Sequence, residues 1–123
     1  MTPFEKNIFD TLCPAIKEKK LIKFWYKDET ESKIGWRKIE PHQIGKLKKG
    51  KSKKEHIILT GWFHPSQEQV WEGWDEGWKN YILERISKIE ILNQTYITTR
   101  PGYNPKDEKR MSIVYCATSL RVI

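Results

Sequence analysis

Three histidines, His42, His56 and His64, and two cysteines, Cys13 and Cys116, are the side chains of this sequence best suited to ligate a metal or attack a substrate. Their spacing argues against both roles. The histidines share no helical ligand interval, and the cysteines join them at no recognised metal-site spacing. The histidines therefore read as surface or turn residues, and Cys13, on a helical stripe before a proline, as structural. His42, which follows Arg37-Lys38-Ile39-Glu40-Pro41, is the one placed to line a pocket at a strand end. Ser66, Ser87, Ser112 and Ser119 lack the glycine-flanked elbow of hydrolases. Glu68, Glu72, Asp75 and Glu76 cluster, but interleaved with tryptophans they read as a solvated loop face. The sequence has no phosphate-binding glycine loop, dinucleotide fingerprint or calcium loop. The expectation is a chain without catalytic residues, metal or cofactor.

Binding chemistry is better represented. Arg37, Arg85 and Arg100 each fall at an ordered strand or turn, and a guanidinium can grip phosphate with two parallel bonds. Tyr26, Trp62 and Tyr81 lie in strand-like runs beside them, so phosphate clamping can combine with base stacking. Arg37, His42, Trp62, Lys79, Tyr81, Arg85 and Arg100 are the candidate ligand residues. The competing reading pairs Arg85 with Glu84 or Glu40 and gives it a purely structural task. Residues 46–54 carry six lysines around Gly50, either a sequence-blind attraction for a phosphate backbone or a solubilising hairpin tip.

Lys and Arg outnumber Asp and Glu by 23 to 16, and the net charge of +7 favours an anionic partner. Six tryptophans imply packed interfaces or stacking platforms. Trp71, Trp74 and Trp78 are candidates for docking a protein partner or a second copy. Cys13 and Cys116 are too few and too far apart for a disulfide framework, so a reducing, cytoplasmic setting is expected. The N-terminus lacks the pattern of a signal peptide, and no stretch has membrane-spanning length.

The positioning elements can be read in order. Thr2-Pro3-Phe4-Glu5 has the form of a capping box, and Phe4, Ile8, Leu12 and Ile16 make one apolar stripe. The spacing predicts a helix over 3–20, kinked or split at Pro14. Strands follow at 21–27, at 33–40 (ended by Pro41), at 56–63 and at 79–84. Residues 28–32 form a polar turn. Residues 65–77 read as an ordered loop whose indoles pack on the sheet, because Gly73 and Gly77 oppose a helix. Ile86, Ile89 and Leu92 suggest a helical turn or a twisted strand. Pro101-Gly102 and Asn104-Pro105 are turn signals before a last strand at 111–118, with Ile113 and Tyr115 on one face and Val114 and Cys116 on the other. The expected architecture is one mainly β domain over 1–123 (α+β by count). It is a small, partly open SH3-like or Sm-like barrel of about five strands behind an N-terminal helix. The barrel occupies 21–92 and a C-terminal extension 93–123.

Three segments carry a family resemblance. Arg37-Lys38-Ile39-Glu40-Pro41, then Ile57-Ile58-Leu59, then Lys79-Asn80-Tyr81-Ile82-Leu83-Glu84-Arg85-Ile86 resemble the WYL domain family in order and spacing. Ala15 to Ile22 with Tyr26 resembles the family's opening segment. The resemblance implies a small barrel introduced by a helix, of the kind that senses single-stranded nucleic acid or nucleotides in bacterial transcription regulators. Arg37, Pro41, Leu59, Tyr81, Leu83, Arg85 and Ile86 keep the family pattern, Lys79 stands for an arginine, and Ile57, Ile58 and Ile82 depart from it. No helix-turn-helix fits before residue 21, so a stand-alone module is expected.

The leading expectation is thus a non-catalytic module that binds single-stranded DNA or RNA, or a nucleotide. A protein-interaction or oligomerisation module built on the tryptophan-rich loop is the alternative. A ribonuclease-like small-barrel enzyme is the third, resting on fold analogy alone.

Overall fold

The computed structural model describes residues 1–28, 33–48, 55–106 and 109–122. Its first element, α1 (Pro3–Lys17), starts as the sequence dictates: the Thr2 hydroxyl accepts from the Glu5 N–H, and the Glu5 carboxylate accepts from the Thr2 N–H. Ile8, Leu12, Ala15 and Ile16 are buried, whereas Phe4, the first residue of the expected stripe, is exposed. Pro14 neither splits nor ends the helix. It lies in the last turn, where one forfeited N–H removes little of the bonding.

Six strands follow: β1 (Lys20–Lys27), β2 (Ile34–Leu47), β3 (Ile57–His64), β4 (Gly77–Ile82), β5 (Ile86–Thr95) and β6 (Met111–Ala117). They form one antiparallel sheet in the order β4-β3-β2-β1-β5, with β6 also paired to β2. No pairing among the described residues returns from β5 to β4, so the sheet is not closed. That corrects the expected count of strands and supports only the open, sheet-like part of the barrel reading.

The organising strand is β2, at 14 residues the longest. Its first half pairs with β1, and its second half lies between β3 and β6. Pro41 does not end it. The register with β3 shifts between Pro41 and Gln43, and a bulge is where a strand tolerates a residue without an N–H. Two further expectations change nearby. A short helix, α2 (Gln67–Trp71), interrupts the 65–77 loop, capped by Ser66 and ending before Gly73. The fourth strand begins at Gly77 and stops at Ile82, where a 3-10 turn, Leu83–Arg85, leads into β5. The segment around Ile86, Ile89 and Leu92 is therefore strand.

Directly paired residues share a face of the sheet. Ile22, Phe24, Tyr26, Ile39, Leu59, Phe63 and Tyr81 gather with the α1 residues into the core, on the inner face. Trp25, Trp36, Lys38, His64, Trp62 and Trp78 fall on the outer face. In β6, register shifts against β2 defeat the simple alternation: Ile113 and Val114 are both exposed, while Cys116 is buried.

Cys13 and Cys116 form a disulfide, with Cα atoms 6.0 Å apart, that ties α1 to β6. In sequence the two cysteines read as too few and too far apart for a disulfide framework; the fold brings first helix and last strand together across 103 residues. No helix among the described residues is long and apolar enough to cross a membrane.

Candidate ligand-binding site

The inner face leaves one end of its core open, beyond the reach of α1. Arg37 of β2, Tyr26 of β1, Phe63 of β3 and Lys79 and Tyr81 of β4 converge there on a pocket of about 180 Å³ that Trp74 walls from the loop after α2. Arg37 is only 5% exposed. Its Nη1 donates to the Gly35 carbonyl at 3.2 Å and its Nη2 to the Lys33 carbonyl at 2.8 Å. The guanidinium carbon lies 4.3 Å from the Trp74 ring centre and 5.7 Å from that of Tyr26. Burial lowers the Arg37 pKa, and Tyr81, Asp28 and Tyr26 oppose that. A guanidinium keeps its charge against such a shift, so a positive group stands held on aromatic faces at the pocket wall. Burial raises the pKa of Tyr81, so its phenol stays protonated and can donate. Lys33 and Lys79 add positive charge at the rim, and Asp28 and Asp75 add negative.

A second cluster sits on the outer face. The buried Glu40 carboxylate accepts from Arg100 Nε at 3.0 Å and Nη2 at 2.7 Å, and it also contacts His64 Nε2. Burial alone would raise the Glu40 pKa; the bonds from Arg100 and His64 outweigh it and hold the carboxyl below its ordinary value. Arg100 lies over the Trp62 ring at 4.7 Å. His42 is fully buried, stacked on Tyr96 and edge-on to Trp78 and Tyr103. Its Nδ1 faces the Glu40 carbonyl at 2.8 Å, and its Nε2 accepts from the Arg100 N–H at 3.2 Å. These partners fix the neutral tautomer that carries its proton on Nδ1. Desolvation lowers the His42 pKa to about 4.

The seven candidate residues thus go to three places. Arg37, Lys79 and Tyr81 share the inner pocket. His42, Trp62 and Arg100 belong to the outer cluster, in which Arg100 is bound to a carboxylate. Arg85 stands half-buried in the 3-10 turn, outside both groups. His42 is thereby corrected from a surface or turn residue to a core residue, because Tyr96 and Tyr103 of the C-terminal extension fold over it. Glu40, offered as a partner for Arg85, is taken by Arg100 and His64. Trp71, Trp74 and Trp78 do not form one patch: Trp71 is 76% exposed, Trp74 is buried, and the Trp78 indole donates to the Pro101 carbonyl at 2.9 Å. Most of the lysine-rich tip lies outside the described residues, as does most of the 28–32 turn.

Sequence reasoning missed Trp74 and Asp28 as pocket residues. Neither sits in a strand motif, and only the return of the loop onto β2 brings Trp74 to Arg37. No three His, Cys, Asp or Glu residues come together as a metal site among the described residues.

No protein-family model matches the chain, and no curated protein does. Among solved structures, the fold is similar to part of proteasome accessory factor B/C (PafBC) of Arthrobacter aurescens, with a TM-score of 0.55 and 19% identity. The match covers 80% of this chain and 13% of that one. At that identity the likeness shows the fold alone.

Proposed function

We propose that this chain is a non-catalytic, WYL-like ligand-sensing module of bacterial regulatory type. Its ligand is anionic, a single-stranded nucleic acid or a nucleotide, bound in the inner pocket. The observation that carries the reading is the buried Arg37 guanidinium, pinned by two carbonyls and backed by Trp74, beside Lys79 and Tyr81 at an open pocket. A cation fixed in this way gives up little conformational entropy on meeting a phosphate. Tyr26, Tyr81 and Trp74 offer aromatic surface for a base. The fold likeness to part of PafBC supports the fold side of the reading. Arg100 and Trp62 leave this site and take up a structural task.

The test is titration with oligothymidylate and with single nucleotides at low salt, following tryptophan fluorescence. Trp74 in the wall should be quenched, and affinity should fall as salt rises. Lys79→Glu should weaken binding and lower the salt slope by about one unit. No response to any oligonucleotide or nucleotide at low salt would sink the reading.

A second reading has one observation of its own. Trp71 stands 76% exposed on α2, as an indole awaiting a protein partner would. Light scattering on the wild type and Trp71→Ser distinguishes it: only an interface residue changes the mass.

A further inference from the structure

The outer face of the sheet holds a groove of about 730 Å³ between the β1–β2 ladder and α2; it meets the inner pocket at Trp74 and the Glu40 cluster at His64, but its floor and its α2 wall belong to neither. Its floor is the cross-strand pair Trp25 and Trp36, with ring centres 5.5 Å apart and planes at 84°. Lys23 lies over the Trp36 ring at 4.6 Å, and Lys38 is its direct cross-strand partner. The opposite wall is α2, pinned to the floor by Gln69 Nε2, which donates to the Trp36 carbonyl at 2.8 Å. Glu68 and Glu72, one helical turn apart, line that wall and are exposed.

These parts suit one kind of occupant. Lys88 lies over the Trp25 ring at 5.3 Å, so Lys23, Lys38 and Lys88 stand on the aromatic floor facing Glu68 and Glu72, and the groove is polarised across its width. A phosphodiester strand would meet Lys23 and Lys38 on one side but run its charges along Glu68 and Glu72 on the other. A polyproline II segment fits both sides. Its pyrrolidine rings lie on indoles, its backbone makes no internal hydrogen bonds, and its free carbonyls accept from ammonium and indole N–H groups. A basic side chain on the segment then reaches the carboxylates of α2. The geometry points to this groove as a docking site for a proline-rich segment of a partner protein that carries an arginine or lysine. Lys23 rests on the indole in the free protein and moves to a peptide carbonyl when a proline replaces it.

The test is a titration of the whole chain with an arginine-flanked polyproline peptide, followed by proton–nitrogen correlation spectra of the indole N–H groups. Trp25→Phe and Trp36→Phe assign the two signals. Both should shift, and Trp36→Ala should lose about tenfold or more in affinity, as an aromatic anchor does. Because Trp36 is half-buried, the surface variant Glu68→Lys with Glu72→Lys provides a second arm. It should weaken the arginine-flanked peptide several-fold while improving binding of a glutamate-flanked one. The proposal is overturned if the peptide leaves the Trp25 and Trp36 signals in place. It is equally overturned if oligothymidylate shifts those two signals and the peptide does not, or if the charge-reversed variant binds both peptides as the wild type does.

Discussion

Arg100 reaches across 60 residues of sequence to grip Glu40 with two parallel bonds, Nε to one carboxylate oxygen at 3.0 Å and Nη2 to the other at 2.7 Å. This pair fastens the C-terminal extension to the middle of the sheet. Beneath it, Tyr103 Oη donates toward the Thr118 carbonyl at 2.7 Å, and Tyr96 Oη donates to that of Pro41. The extension is therefore part of the fold's outer layer, and Arg100 is committed to holding it.

Removing that grip leaves Glu40 buried with His64 as its remaining partner. Arg100→Ala should destabilise the chain by about 2 kcal/mol, the scale for losing hydrogen bonds to a buried charge. Arg100→Lys, which keeps the charge but not the fork, should recover only part of it. Urea denaturation measures both. An unchanged midpoint in Arg100→Ala would mean that desolvation cancels the attraction.

His42 predicts a pH dependence. Its folded pKa of about 4 lies below the ordinary 6.5, so the unfolded chain binds a proton first as pH falls. The stability tied to neutral His42 is fully present above about pH 6.5, is lost progressively toward pH 4 and is constant below that. The loss amounts to about 3 kcal/mol if the whole shift is expressed. Glu40 acts at lower pH: its depressed carboxyl contributes stability above its unfolded pKa, lost as pH falls through the folded one. His42→Phe should flatten the profile between pH 6.5 and 4 while lowering stability at neutral pH, since the Arg100 N–H loses its acceptor. Unfolding midpoints taken across that range decide it. A wild-type profile that is already flat there would refute the assignment.

The sequence made local order legible and left long-range order hidden. The Thr2–Glu5 capping box and the β-branched and aromatic runs of β1 and β3 follow from neighbours within a few residues, and the structure shows them. Pro41 misled because a proline ends most strands, and only the pairing of β2 with β3 shows the bulge that admits it. The site divides in the same way. Arg37, Lys79 and Tyr81 sit at alternating strand positions that face one way, which the motif spacing carries. Trp74 against Arg37, and Tyr96 against His42, depend on how loops return, and no local pattern encodes that.

The Cys13–Cys116 bond supplies the third prediction. A cross-link that closes a loop of 103 residues restricts the unfolded chain strongly, with a chain-entropy value of about 4–5 kcal/mol. Reductant, or the Cys13→Ser and Cys116→Ser double variant, should lower the urea midpoint by a corresponding amount. Amide exchange should rise first in α1 and β6, the two elements the bond joins. If reductant leaves the midpoint unmoved, the bond does not form in solution and α1 is held by packing alone.

Gly61 tests the bulge. It pairs with Pro41 on β2 and with Lys79 on β4, at the point where the β2–β3 register slips. A Cβ placed on it would lie 2.7 Å from the Glu40 carbonyl oxygen and 2.9 Å from Ile39 Cδ1. The first of these is backbone, so relief requires β2 and β3 to separate. Gly61→Ala should therefore cost about 1–3 kcal/mol, the range for overpacking. Gly73→Ala is the contrasting case: its Cβ meets nothing within 4 Å, but its φ of +88° disfavours any side chain. Its cost should be about 1 kcal/mol and confined to the end of α2. Gly61→Ala should in addition disturb the Glu40 side chain, so its cost should shrink in an Arg100→Ala background, whereas that of Gly73→Ala should not. Strict additivity of Gly61→Ala with Arg100→Ala would show that the bulge and the Glu40 clamp are independent.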